Sequence, residues 1–296
     1  MIAIDLGSNT LRVIEYDGVI FGKSFEKIVR TAQGLSESGK IGTLAQNRII
    51  SGLHEAQKLI DFRTQEVIAV TTAAVRMASN SLDLLGEIKR RTGVDFRIID
   101  GEKEGTLTLL AVQNRLTSLQ RDVSELVLVD IGGGSTEIVV VSKETITAKS
   151  FDFGIVTLCE KVSSIFDMHC ELQSIRVQVL QHFSQFLSPP KLLALTAGTP
   201  TTIAAYKLGM TYETYDASKV NGTVLYKDDF SSVLDELLSM SEEERACFVG
   251  VGREELIIVG IRLVQMIFEC LGFDEGVVVD DGLREGVALD YYRTLT

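Results

Sequence analysis

Apolar positions along the chain switch repeatedly between two spacings. Ile49, Ile50, Leu53, Ala56 and Ile60 recur at helical intervals, which predicts a helix over residues 45–62. Short apolar runs bounded by Gly and polar residues predict strands at 19–29, 66–71, 95–99, 145–152, 192–196 and 276–279. Further helices are expected at 79–92 and 101–116, within 155–187, and at 199–208, 228–240, 253–271 and 282–295. Helices alternating with strands argue for mixed sheets covered on both faces. The most apolar stretch, 256–271, is interrupted by Arg262, Gln265 and Glu269. It falls short of the ~18 uninterrupted apolar residues of a membrane span and reads as a buried helix.

One pattern occurs twice. Ile4-Asp5-Leu6-Gly7-Ser8-Asn9-Thr10-Leu11-Arg12-Val13-Ile14 runs from an apolar strand through Asp, Gly and small polar residues into a second apolar strand. Val129-Asp130-Ile131-Gly132-Gly133-Gly134-Ser135-Thr136-Glu137-Ile138-Val139 does the same. Setting Asp5 on Asp130 brings Gly7 onto Gly132 and Thr10 onto Ser135. Each half then reads β-β-β-α-β-α-β-α. With 296 residues the chain exceeds the ~250 at which one core tends to split. Two α/β domains are expected, 1–118 and 119–281, with a cleft between them.

A formal net charge of -12 disfavours nucleic acid and anionic membrane as partners. A polyanionic ligand would need basic residues concentrated locally, and Lys89, Arg90, Arg91 and Arg97 are candidates; a solvated helix face accounts for them equally well. Cys159, Cys170, Cys247 and Cys270 form no CxxC pair and read as reduced structural thiols. The first residues, Met1-Ile2-Ala3-Ile4-Asp5, lack the basic and apolar regions of a signal peptide, so the expectation is a cytoplasmic protein. His54, His169 and His182 are scattered, and no Ser–His pair or catalytic Cys pattern supports a covalent mechanism.

The paired hairpins suggest phosphate chemistry. A turn rich in Gly, Ser and Thr exposes consecutive backbone N–H groups, and such a nest binds anions. Two nests on opposing domains could grip a phosphoanhydride from both sides. The Asp ending each first strand makes sense beside phosphate if a divalent cation lies between them. A third turn, Leu195-Thr196-Ala197-Gly198-Thr199-Pro200-Thr201-Thr202, offers N–H groups at a helix start. An ordinary capped helix, with Thr199 as N-cap and Pro200 in first place, explains that turn as well.

With these residues in view, the chain resembles the exopolyphosphatase / guanosine pentaphosphate phosphatase (Ppx/GppA) family of the actin-like superfamily. The two hairpins look like its phosphate-binding loops. Three more segments are similar to family motifs: Thr71-Thr72-Ala73-Ala74-Val75-Arg76-Met77-Ala78-Ser79-Asn80, Ile99-Asp100-Gly101-Glu102-Lys103-Glu104-Gly105 and Asp281-Gly282-Leu283-Arg284-Glu285-Gly286-Val287. The resemblance implies two actin-like (ribonuclease-H-like) domains, with the closing helix 282–296 packing back on the first. It implies that Glu104 orients water, that Arg76 faces the phosphates, and that Asp130 and Glu137 belong to the metal and phosphate site. Gly7, Ser8, Asn9, Thr10, Gly132, Gly133, Gly134 and Ser135 would cradle oxygens, with Gly198 and Thr199 adding contacts. Mg2+ would sit among Asp5, Asp130 and Glu137. The implied activity is release of terminal phosphate from polyphosphate. Guanosine pentaphosphate as substrate, conversion of penta- to tetraphosphate, and a non-catalytic sensor of polyphosphate or alarmone stay open. Lys103 and Thr106 depart from the family pattern, where an acid and an Arg are usual, and Asp100 replaces Ser. The sequence is compatible with a homodimer and does not fix the oligomeric state.

Overall fold

The computed structural model describes residues 1–143, 145–184 and 190–295. Residues 185–187 of the helical stretch expected within 155–187, and residue 296, lie outside them.

Two mixed sheets organise the chain. The first contains β1 (Ile2–Leu6), β2 (Thr10–Tyr16), β3 (Phe21–Ile28), β4 (Val67–Thr71) and β5 (Phe96–Ile98), in the order β3-β2-β1-β4-β5. The second contains β6 (Glu125–Ile131), β7 (Thr136–Ser142), β8 (Thr145–Phe151), β9 (Leu192–Thr196), β10 (Val224–Tyr226) and β11 (Glu275–Val278), ordered β10-β11-β9-β6-β7-β8. In each, the central strand pairs antiparallel on one side (β1 with β2, β6 with β7) and parallel on the other (β1 with β4, β6 with β9). The repeat read from the hairpins is therefore a repeat of sheet order, extended in the second sheet by the edge strand β10.

The helices are α1 (Leu35–Ser38), α2 (Thr43–Leu59), α3 (Ala73–Met77), α4 (Ser81–Thr92), α5 (Gly101–Ser118), α6 (Ile155–Lys161) and α7 (Ile165–Phe183). They continue as α8 (Gly198–Lys207), α9 (Ala217–Val220), α10 (Lys227–Ser239), α11 (Glu242–Val249), α12 (Glu254–Leu271) and α13 (Leu283–Arg293). α2 buries Ala45, Ile49, Ile50, Leu53 and Ala56, the stripe its periodicity predicts, and stops where Ile60 turns extended. α12 is the expected buried helix, and no described helix is long and apolar enough to cross a membrane.

Two helices exchange cover between the sheets. α5 follows β5 of the first sheet, yet Leu109, Val112 and Leu116 pack on Leu126, Leu128, Val139 and Val141 of the second. α13 follows β11 of the second sheet and buries Leu283, Val287 and Ala288 against Met1, Ala3 and Ile14 of the first. The two cross at Gly286, where a Cβ would collide with the backbone carbonyl of Leu107. Arg115 of α5 also pairs with Asp281 just before α13.

Candidate active site

The two Asp-Gly hairpins face each other across the cleft between the sheets. Each closes with the same hydrogen bond: Gly7 N–H donates to Thr10 O and Gly132 N–H to Ser135 O, both at 3.0 Å. The loops touch, because a Cβ on Gly134 would come within 2.6 Å of Ser8 Oγ and one on Gly133 within 3.0 Å of Ser8 Cβ. A larger residue at either position would force Ser8 to shift.

The loop carbonyls are satisfied from behind. Asn9 O accepts from Val29 and Arg30 N–H, and Ser8 O accepts from Ala32 N–H, at 2.8–2.9 Å. In the second loop, Gly132 O accepts from Ile155 N–H, and Gly133 O from Val156 and Thr157 N–H at the start of α6. Among the described residues the N–H groups of Ser8, Asn9, Gly133 and Gly134 have no acceptor in the protein. Buried backbone donors are almost always paired, so two adjacent loops with spare N–H groups form a cradle for an anion.

Acids gather beside this cradle. Asp5 and Asp130 end β1 and β6 at matching positions of the repeat, and both line the cleft with Glu104. Glu104 sits in the first turn of α5, whose N-cap, Asp100, accepts from Lys103 N–H at 2.7 Å. Burial pushes the Asp5 carboxyl up to about 7, with Arg12 opposing and Asp130 adding to the rise. Burial likewise raises Glu137 to about 8, aided by the charge of Asp130. Glu104 is held well above the usual carboxylate range by burial and then by Glu137, Asp130 and Asp5. Asp5 Oδ1 and Glu104 Oε2 are buried without a hydrogen-bond partner. Orphaned carboxylate oxygens facing an anion cradle are costly unless a cation, water or proton completes them.

Several expected residues stand one step back. Arg76 does not line the cleft; its Nη1 lies 3.6 Å from Glu104 Oε2 and donates to Ile99 O at 2.8 Å. Glu137 is buried behind Asp130, where Oε1 accepts from Ser150 Oγ at 2.7 Å. Gly198 and Thr199 do reach the cleft, but Thr199 is not an N-cap. α8 begins at Gly198, after Ala197 in the left-handed region at φ 73, and the Thr199 side chain is buried against Gly260.

The side chains that depart from the family pattern at 103 and 106 are directed away from the cleft. Lys103 Nζ points to Asp290 of α13 at 3.0 Å, and the exposed Thr106 hydroxyl donates to Glu102 O. The basic candidates Lys89, Arg90 and Arg91 form no channel. They occupy the exposed last turn of α4, favourable for the helix dipole, where Lys89 pairs with Asp95 and Arg90 with Glu87. Arg97 is exposed on β5. All four cysteines are free.

The cations of the cleft are others, Arg12 and Arg253. Arg12 lies opposite Asp5 in the β1–β2 register and pairs with Glu26 at 3.2 Å. Glu137 lies opposite Asp130 in β6–β7, so the repeat places opposite charges at equivalent positions. Extending the Asp5–Asp130 alignment by seven residues would have found Arg12. Arg253 precedes α12 and covers Gly198, where a Cβ would meet Nη2 at 2.5 Å; no local motif marks it.

Among the described residues no three Asp, Glu, His or Cys side chains converge as a ready-made metal nest. The orphaned Asp5 Oδ1 would fit a divalent cation such as Mg2+, which takes one or two carboxylates and fills its remaining sites with water and phosphate oxygens. Asp5 and Asp130 are available for this, whereas one oxygen of Glu137 is already taken by Ser150.

The family model for the Ppx/GppA phosphatase family matches residues 23–294. Exopolyphosphatase 2 of Mycobacterium tuberculosis is 30% identical, over 97% of this chain and 97% of its own length. Exopolyphosphatase 1 of Mycobacterium bovis is 28% identical, over 97% and 86%. The crystal structure of the Aquifex aeolicus member of the Ppx/GppA family superposes with a TM-score of 0.77 at 30% identity, over 100% of this chain and 98% of that one. An exopolyphosphatase structure from Cytophaga hutchinsonii gives a TM-score of 0.85 at 24% identity, over 98% and 97%, a likeness of fold. Sheet order, facing glycine loops and these relatives agree: the chain, with its two actin-like domains, belongs to the Ppx/GppA phosphatase family.

Proposed function

We propose that the chain is a cytoplasmic, metal-dependent phosphohydrolase that releases terminal orthophosphate from inorganic polyphosphate by direct attack of water. The observation that carries this reading is the set of N–H groups unpaired among the described residues on two loops, next to carboxylate oxygens that accept no hydrogen bond. The loop N–H groups and the Arg12 and Arg253 guanidiniums bind the phosphoryl oxygens. Glu104 orients the water and accepts its proton, and Arg76 and Glu137 fix its position and charge. A base held well above the ordinary carboxylate range is suited to proton transfer near neutral pH. Mg2+, held by Asp5 and Asp130 and backed by Glu137, would neutralise phosphate charge when bound. Two lobes, 1–118 and 119–281, would close on the substrate with α5 and α13 exchanged between them.

One observation supports guanosine pentaphosphate as a second reading. Tyr212 and Tyr215, 44% and 36% exposed, lie close enough to Arg253 to influence its charge, and they offer aromatic surface for a base. Phosphate release with Mg2+ should be measured from short and long polyphosphate, guanosine pentaphosphate and ATP, for wild type beside Glu104→Ala. Release from polyphosphate that is lost in the variant, with binding retained, is expected. Release that survives would remove Glu104 from its role. Binding with no release from any substrate would leave a sensor of polyphosphate or alarmone.

A further inference from the structure

Immediately behind the first loop, Arg30 adopts φ 49, in the left-handed region. Non-glycine residues held there concentrate where surrounding structure imposes them for a purpose. Here the imposing contact is the loop itself, since the N–H groups of Val29 and Arg30 both donate to Asn9 O at 2.9 Å. The guanidinium of Arg30 crosses to the opposite lobe and lies on the backbone of Gly252, where a Cβ would collide with Nη2. The next residue is Arg253 of the cleft.

Arg30 forms no ion pair or side-chain hydrogen bond among the described residues. Arg48, beside it, donates to Val29 O, Arg30 O and Gln33 Oε1 instead of a carboxylate. Burial and the charge of Arg30 together push Arg48 below the ordinary guanidinium range. In a chain of net charge -12, neighbouring arginines that pair with no acid among the described residues are unexpected unless an anion visits them.

A cavity of about 290 Å³ opens at this point, and Ser8, Asn9, Val156 and Leu256 line both it and the cleft. Arg30 is the only cation among its described walls, which also carry Glu160, Glu254 and Glu255. Those acids are engaged. Glu160 accepts from Gly34 N–H and Ser36 Oγ, Glu254 from Gly252 N–H at 2.8 Å, and Glu255 pairs with Arg245 at 3.3 Å.

Resting on the polyphosphate reading, we propose that Arg30 is a specificity-determining residue that binds the phosphoryl groups following those seated on the two loops. One guanidinium facing three carboxylates lets the site reward a chain that reaches Arg30 and little beyond it. Substrate length is thus read outside the cleft where hydrolysis occurs.

The test compares wild type, Arg30→Asn and Arg30→Lys on tripolyphosphate and on long polyphosphate, with calorimetric binding of long polyphosphate in parallel. Asn tolerates positive φ, so backbone strain is preserved or relieved. For Arg30→Asn, KM for long polyphosphate should rise roughly tenfold, the size of one charge-assisted contact, with kcat and both constants for tripolyphosphate unchanged. Arg30→Lys should recover part of the loss. Equal losses on both substrates would make Arg30 a structural prop and overturn the proposal, as would no change on either. If wild type releases phosphate from neither, the polyphosphatase reading fails separately. Binding then decides: weaker binding by Arg30→Asn supports the subsite and equal binding overturns it.

Discussion

The side chain of Ser150 occupies the space that a Cβ on Gly101 would need, and its hydroxyl holds Glu137 at 2.7 Å. The first residue of α5 is therefore pressed against β8, three positions before Glu104. This contact sets the placement of Glu104 relative to Glu137, because a methyl group at 101 would push the helix start away. Gly101→Ala should lower kcat by roughly 10²-fold, the cost of a misplacement of about 1 Å. Adding Ser150→Gly should recover thermal stability but not the full rate, since Glu137 loses its donor. Steady-state kinetics and melting curves of the double-mutant cycle check this; an unchanged kcat in Gly101→Ala would refute it.

Arg253 bridges the third turn and the cleft, its Nη2 donating to Thr202 Oγ1 at 3.5 Å, with no carboxylate paired to it among the described residues. Arg253→Ala should raise KM for phosphate substrates roughly 10–100-fold, as expected for a charged hydrogen-bonding contact. The fold should persist. A KM within error of wild type would exclude it from substrate binding.

Stability should fall as pH rises toward 8. Asp5 is raised from 3.8 to about 7 and Glu137 from 4.5 to about 8, burial being the first cause in both. Between those values the folded chain holds protons that the unfolded chain has released, so the slope of unfolding free energy with pH is negative. Their favourable contribution is complete near pH 4 and spent near pH 8. Calorimetry without added divalent ions should show a melting temperature lower at pH 8 than at pH 5, by roughly a few degrees. Glu137→Gln should flatten the slope, and a melting temperature that climbs through this window would contradict the carboxylate cluster.

Gly286→Ala places a methyl group on the Leu107 carbonyl at the crossing of α13 and α5. Overpacking of this kind costs about 1–3 kcal/mol. Denaturant titration should show a lower midpoint with an unchanged slope, and α13 is the element whose amides should lose protection from exchange first.

Much of the site was legible because its residues are local. Asp5, Gly7, Ser8 and Asn9 are contiguous, as are Asp130 and Gly132–Ser135, and glycine-rich turns after apolar strands announce themselves. Apart from Arg12, the basic residues in and beside the cleft were hidden for the same reason. Arg253 and Arg30 come from turns remote in sequence, while Lys89, Arg90 and Arg91, the conspicuous run, only cap a helix dipole. The pattern also missed β10, α1, α3, α9 and α11, which are short and carry too few apolar positions to show a period. The helix predicted over 79–92 is α4, which starts at Ser81; the short α3 before it ends at Ala78, where the backbone turns extended. The exchange of α5 and α13 is invisible to periodicity, which says which face of a helix is apolar but not which sheet it covers.

That exchange also bears on synthesis. A ribosome delivers β1, β2 and the Leu107 face of α5 long before residues 283–293, which cover Met1, Ala3 and Ile14. Until then the earliest-made sheet presents an uncovered apolar surface, a natural substrate for holding chaperones. Messages cut short before codon 283 would yield products unable to complete even their N-terminal lobe. Such products would be cleared by proteolysis rather than persist as half-enzymes that bind phosphate without turning it over.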